Sequence, residues 1–180
     1  MLWISIPSVE RWDEVKQEFV YAKKQNLQLE HSLVSVSKWE AKWQKPFLAK
    51  REKTVEETVD YVRCMTITQN VPSEAYENIT NDNIEQINQY IEAPMTATWF
   101  SENRNVKTNR EQITSEIIYY WMIALNIPFE CQKWHLNRLL TLIRVCNIKN
   151  QPAKKMSRKD VMSRNAALNA ARRKKLNSKG

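Results

Sequence analysis

Residues 108–147 read TNREQITSEIIYYWMIALNIPFECQKWHLNRLLTLIRVCN, and this stretch decides the fold class. Thr108-Asn109-Arg110-Glu111 has the form of a capping box, in which a Thr hydroxyl and a Glu carboxylate each take a backbone N–H of the first helical turn. Behind it, Ile113, Ile117, Tyr120, Trp121, Ala124 and Leu125 recur at helical spacing and predict one broad apolar face. Pro128 ends that helix and suits the first turn of a second, where a missing N–H costs nothing. In the second helix only Lys133, Asn137, Thr141 and Arg144 form a polar stripe, while Leu136, Leu139, Leu140, Leu142, Ile143, Val145 and Cys146 cover most of the circumference. Such a helix is expected to be buried on several sides, which makes these two helices the expected centre of the body.

Upstream, further helical periods appear. Leu33, Val36, Trp39 and Trp43 recur at three- and four-residue steps from Ser32 until Pro46 stops the pattern. Thr54-Val55-Glu56-Glu57 is a second capping box, opening a helix with Val55, Val59, Val62 and Met65 on one stripe. A shorter helix follows from about Asn81, with Ile84, Ile87 and Ile91 as its buried face. At the N-terminus the period changes to two: Leu2, Ile4 and Ile6 alternate with Trp3 and Ser5 up to Pro7, and Glu18–Ala22 and Leu27–His31 are the next strand candidates. The fold class expected is therefore mainly α with a small N-terminal antiparallel β-sheet, as a compact helical body followed by a C-terminal basic helix.

Charge divides the chain near Ile148. Residues 149–180 hold eleven Lys and Arg against Asp160, a net of +10, which leaves −2 for residues 1–148 out of a total of +8. The two parts read as a helical body with N-terminal strands (1–148) and a basic helical tail (149–180), the tail opening at Ser157-Arg158-Lys159-Asp160, an N-cap pattern. With few apolar residues, the tail cannot bury enough surface to hold a fold by itself.

Composition removes several classes of chemistry. The only glycine of the 180 residues is Gly180, so phosphate-cradling loops, dinucleotide fingerprints and nucleophile elbows, which need glycine at their tight turns, are excluded. No apolar run approaches the ~20 residues that cross a bilayer, and the first residues lack the basic and apolar regions of a secretory signal. Cys64, Cys131 and Cys146 include no close pair, which points to a reducing compartment and argues against structural zinc. Cys131 and His135, four apart, read as core residues and not as metal ligands. His31, beside Glu30 in an expected strand, faces away from it, since adjacent strand residues point to opposite sides. Glu56, Glu57 and Asp60 suit the first turns of a helix, where the macrodipole favours anions. Neither a catalytic residue, nor a metal site, nor a cofactor site is expected.

The expected binding residues are the tail cations Lys154, Lys155, Arg158, Lys159, Arg164, Arg172, Arg173, Lys174 and Lys175, together with Trp99 and Phe100 of the Met95–Phe100 segment. For the two aromatics, burial in the core competes with an exposed contact patch, and core is favoured. The cations suit phosphates, an acidic protein surface, or plain solubility. The tail has no aromatic to stack on bases, which argues against specific recognition of nucleic acid, while charge by itself leaves the three readings about equal.

Four blocks carry a family resemblance: Leu27–Phe47 (LQLEHSLVSVSKWEAKWQKPF), Met95–Phe100 (MTATWF), Glu116–Asn147 and Arg164–Gly180 (RNAALNAARRKKLNSKG). Over nearly its full length the chain is similar to the tail assembly chaperones of long-tailed bacteriophages. That resemblance implies a non-catalytic helper that coats the tape measure protein, keeps its apolar helical stripes from aggregating and favours recruitment of the tail tube protein. It also implies a place in the host cytoplasm during assembly, absence from the mature virion, and compatibility with a homo-oligomer. A structural tail or baseplate subunit is the alternative, with a nucleic-acid-binding module a distant third.

Overall fold

A computed structural model describes residues 1–13, 17–100, 112–151 and 157–177. Its elements are β1 (Leu2–Ile6), β2 (Val9–Asp13), β3 (Glu18–Ala22), β4 (Gln25–Leu29), α1 (Leu33–Trp43), α2 (Val55–Met65), α3 (Asn81–Glu92), α4 (Ser115–Ala124), α5 (Leu136–Asn150) and α6 (Arg158–Leu176). Short 3₁₀ turns at Ser73–Asn78 and Phe129–Lys133 follow Pro72 and Pro128. The fold is thus mainly helical with a small antiparallel N-terminal β structure, as the two hydrophobic periods predict. No described helix is long and apolar enough to cross a membrane.

The strands form one continuous ribbon in two halves, β1 with β4 and β2 with β3. Position n faces position 31 − n in both halves, Leu2 opposite Leu29 and Val9 opposite Ala22, so the register survives the interruption at Pro7. Ile4, Ile6, Leu27 and Leu29 are buried, the alternation a half-buried strand requires. Strand β2 has no such alternation; it forms by pairing with β3 instead of by burying a face, which is why its sequence is silent. Strand β4 stops at Leu29, two residues short of the expectation. There the end of α2 takes over its edge: Thr66 bridges Leu29, and Glu30 N–H donates to the Met65 carbonyl at 2.9 Å. Glu30 and His31 are consequently both buried, and the opposite-face argument does not hold for them.

Compact packing divides the chain into Met1–Asn147 and Ile148–Gly180. In the first unit, α1 lies at the centre. Ser32 caps it with a reciprocal Ser35 bond, and Leu33, Val36 and Trp39 are completely buried. With a single glycine in the chain, left-handed positions fall to other residues: Gln44 ends α1 at φ 52° and Asn126 turns the chain after α4 at φ 54°. The Thr54–Glu57 capping box opens α2 as predicted, with Val62 and Met65 inward, although Val55 is 80% exposed. Thr80 caps α3, which buries Ile87 and half-buries Ile84 and Ile91.

The helices expected at the centre are at the side. The 108–111 capping box lies outside the described residues; α4 begins at Ser115, after Thr114. Its buried residues are Ser115, Ile118 and Met122, not the face built on Ile117 and Tyr120. A helix apolar on every side gives periodicity nothing to choose between, and the choice fell on the wrong side. Pro128 leads into the 3₁₀ turn and not into α5, which starts at Leu136. Only Leu136, Leu139 and Ile143 of α5 are fully buried, while Leu140, Leu142, Val145 and Cys146 are half-covered, so α5 is buried on one stripe.

Candidate binding surfaces

The polar side chains inside the body are spent on architecture. Glu57 is 1% exposed; Lys45 and Arg51 donate to its Oε1 at 2.9 and 3.1 Å and Thr54 N–H to its Oε2 at 3.0 Å. Those bonds, from Lys45 first and Arg51 next, hold its carboxyl down to about 2. Asp60 is ion-paired with Lys42 and accepts from the Trp43 indole at 2.9 Å. Glu40 takes two backbone N–H groups, from Phe47 at 2.8 Å and Ser115 at 2.7 Å, tying a loop and the start of α4 to α1. The Glu30 carboxylate accepts from the Tyr90 hydroxyl at 2.7 Å and pairs with the Met1 amino group at 3.1 Å.

Both histidines belong to this interior. His31 Nδ1 is hydrogen-bonded to the Tyr61 hydroxyl, and burial, then His135, then Lys53 push its pKa down to about 3. His135 packs against it with ring centroids 5.1 Å apart. Its Nδ1 accepts from Asn137 N–H at 3.3 Å, which leaves Nε2 to donate to the Tyr90 carbonyl at 3.0 Å. Burial also lowers its pKa, so both rings are neutral near pH 7. Cys131 is buried, and burial raises its thiol. Among the described residues no group of three His, Cys, Asp or Glu is placed to hold a metal. Sequence reasoning put Cys131 and His135 in the core but missed that His31 meets His135, a contact made by chain segments about a hundred positions apart with no local signature.

The outer surface carries the more telling features. Asn137 caps the end of α3, donating to the carbonyls of Ile91 and Ala93 at 2.9 Å each, and the Met95–Phe100 segment leaves from there. Met95 adopts a left-handed φ of 49°, uncommon for a bulky residue. Trp99 is 90% exposed, so the core reading favoured for it is wrong. Phe100 is half-buried beneath the Arg144 guanidinium, 4.1 Å from the ring centroid.

On α4, Tyr120 is 67% and Ile123 61% exposed, three residues apart and hence neighbours on the outward face. Phe129 is also exposed and lies 6.4 Å from the Tyr119 ring, extending the apolar surface past the helix end. Trp43, Val59, Ile79 and Ile84 line a separate cleft of about 580 Å³ between α1, α2 and the entry to α3, together with Lys42 and Arg63.

The second unit contains α6, none of whose residues is buried. The Ser157 hydroxyl caps it, accepting from Asp160 N–H at 3.1 Å, and Asn177 ends it in a left-handed conformation. Arg158, Lys159, Arg164, Arg172, Arg173, Lys174 and Lys175 are all exposed. Four of them are consecutive, and at 100° per residue they encircle the last turns instead of forming one face. There they complement the negative end of the helix dipole. Lys154 and Lys155 lie outside the described residues.

The chain matches no protein-family model, no characterised protein and no solved structure in the comparisons made.

Proposed function

We propose that this chain is a tail assembly chaperone of a long-tailed phage, a binder of the tape measure protein that assists recruitment of the tail tube protein without catalysing a reaction. One observation carries this reading: α4 is apolar all round yet keeps Tyr120 and Ile123 open to solvent. An apolar helix face left uncovered marks an interaction site. The partner that suits it is an amphipathic helix offering i, i+3, i+7 anchors, which is what a long helical tape measure presents. The block similarities at Leu27–Phe47, Met95–Phe100, Glu116–Asn147 and Arg164–Gly180 give the phage context. Trp99 and the α6 cations would add a second aromatic anchor and electrostatic steering.

The test is co-expression with the tape measure protein encoded in the same genome. The expected result is a several-fold rise in soluble tape measure and co-purification of the two, both lost in the Tyr120→Asp, Ile123→Asp double variant. No gain in solubility with the native chain overturns the reading.

A further inference from the structure

The outer half of the β-ribbon is the least supported part of the body. Strands β1 and β4 rest on the core, whereas β2 and β3 expose Trp12, Phe19 and Tyr21, the first two in edge-to-face contact at 4.9 Å. A two-stranded ladder is marginal in water, and further strands are what make such structures stable. Among the described residues no third strand lies along either edge. The two edges differ in sequence. Strand β2 reads Val9-Glu10-Arg11-Trp12-Asp13, with three charges, the usual means of blocking edge pairing. Strand β3 reads Glu18-Phe19-Val20-Tyr21-Ala22, with one charge, at its end, and no proline.

We propose that β3 pairs antiparallel with β3 of a second copy of this chain, joining two ribbons into a four-stranded sheet about a twofold axis. Centred on Val20, position n of one copy faces position 40 − n of the other. Phe19 then stands opposite Tyr21 of the partner subunit, and Tyr21 opposite Phe19 of the partner subunit. Since Trp12 faces Phe19 within the ribbon, each row runs Trp12, Phe19 and Tyr21 of the partner subunit, the aromatic cross-strand pairing that sheets favour. The same register brings acidic position 18 within one diagonal of Lys24 of the partner subunit, whereas parallel pairing would set position 18 beside itself. The strand is complementary to its own reverse, which is what an isologous interface requires.

Sedimentation equilibrium of the full chain at tens of micromolar is expected to give twice the monomer mass, and Phe19→Lys to raise the dissociation constant at least tenfold. Register is tested separately with cysteines. A mixture of Phe19→Cys and Tyr21→Cys chains forms disulfide-linked pairs on mild oxidation, and either variant alone does not rise above the unsubstituted chain. Directly opposite residues are within disulfide reach, and the diagonal ones are not. A monomeric native chain overturns the proposal, including the case in which another protein captures the edge. So does a dimer that Phe19→Lys leaves intact, or a mixture that yields no linked pairs.

Discussion

Helices α1 and α4 are nearly equal in length, eleven and ten residues, and both follow a Ser or Thr that begins the first turn. They differ in what their two faces meet. The inward stripe of α1 is sealed, and its outward positions Lys38, Ala41 and Lys42 are ordinary surface. The inward stripe of α4 is sealed just as well by Ile118 and Met122, but its outward face is as apolar as its inward one. Folding accounts for the apolar stripe of α1. On α4 the described residues cover one face, and the other is the face on which the proposed partner would sit.

The comparison breaks most sharply by emptying the sealed face. Trp39→Ala should cost about 3–5 kcal/mol and abolish cooperative urea unfolding near room temperature, because it removes a fully buried ring and the hydrogen bond from its indole to the Glu57 carbonyl at 2.9 Å. An unchanged midpoint would mean that α1 is not the centre.

Acid titration probes the polar groups below and beside α1. The unfolded chain takes up a proton at His31 near pH 6.5, which the folded chain refuses until about 3. This cost is absent above pH 6.5 and destabilises the fold increasingly as pH falls towards 3. Glu57 adds to it in the same direction: its stabilisation is full above about pH 4.5 and is lost as pH falls towards 2. Urea midpoints measured from pH 7 to 4 should fall steadily, and His31→Gln should flatten the slope between pH 6.5 and 4.5.

Tyr120→Asp with Ile123→Asp on the open face of α4 should leave stability within about 0.5 kcal/mol, as exposed substitutions do, while removing partner binding. A large loss of stability would show that the face is needed for folding. The smallest effect is expected at Met95, where Met95→Gly removes a left-handed strain of about 1 kcal/mol, offset in part by glycine's own entropy, and so raises the thermal midpoint by at most a few degrees.

How far the sequence could be read follows from the same contrast. The α1 stripe, the Thr54–Glu57 box and the Leu2/Ile4/Ile6 alternation were legible because each separates apolar from polar along a single period. On α4 apolar residues fill nearly every phase, and on α5 they leave only a narrow polar stripe, so periodicity showed that helices exist there without fixing how deeply each side is buried. Strand β2 was invisible because its order comes from the ladder it shares with β3. The interior ties of Glu40, Glu30 and His31 were hidden for another reason, since they join residues far apart in the chain. The exposure of Trp99 had a partial signal in its place between helices, and size alone argued the wrong way.

The bond from Ser115 to Glu40 also bears on the order of events during synthesis. It spans 75 positions, so this tie cannot form until most of the body has been made and the two distant positions have come together. Contacts of that separation form slowly. Until then both apolar faces of α4 are naked, the inner one as well as the outer, and the chain passes through an interval in which it resembles the sticky helices it is proposed to guard.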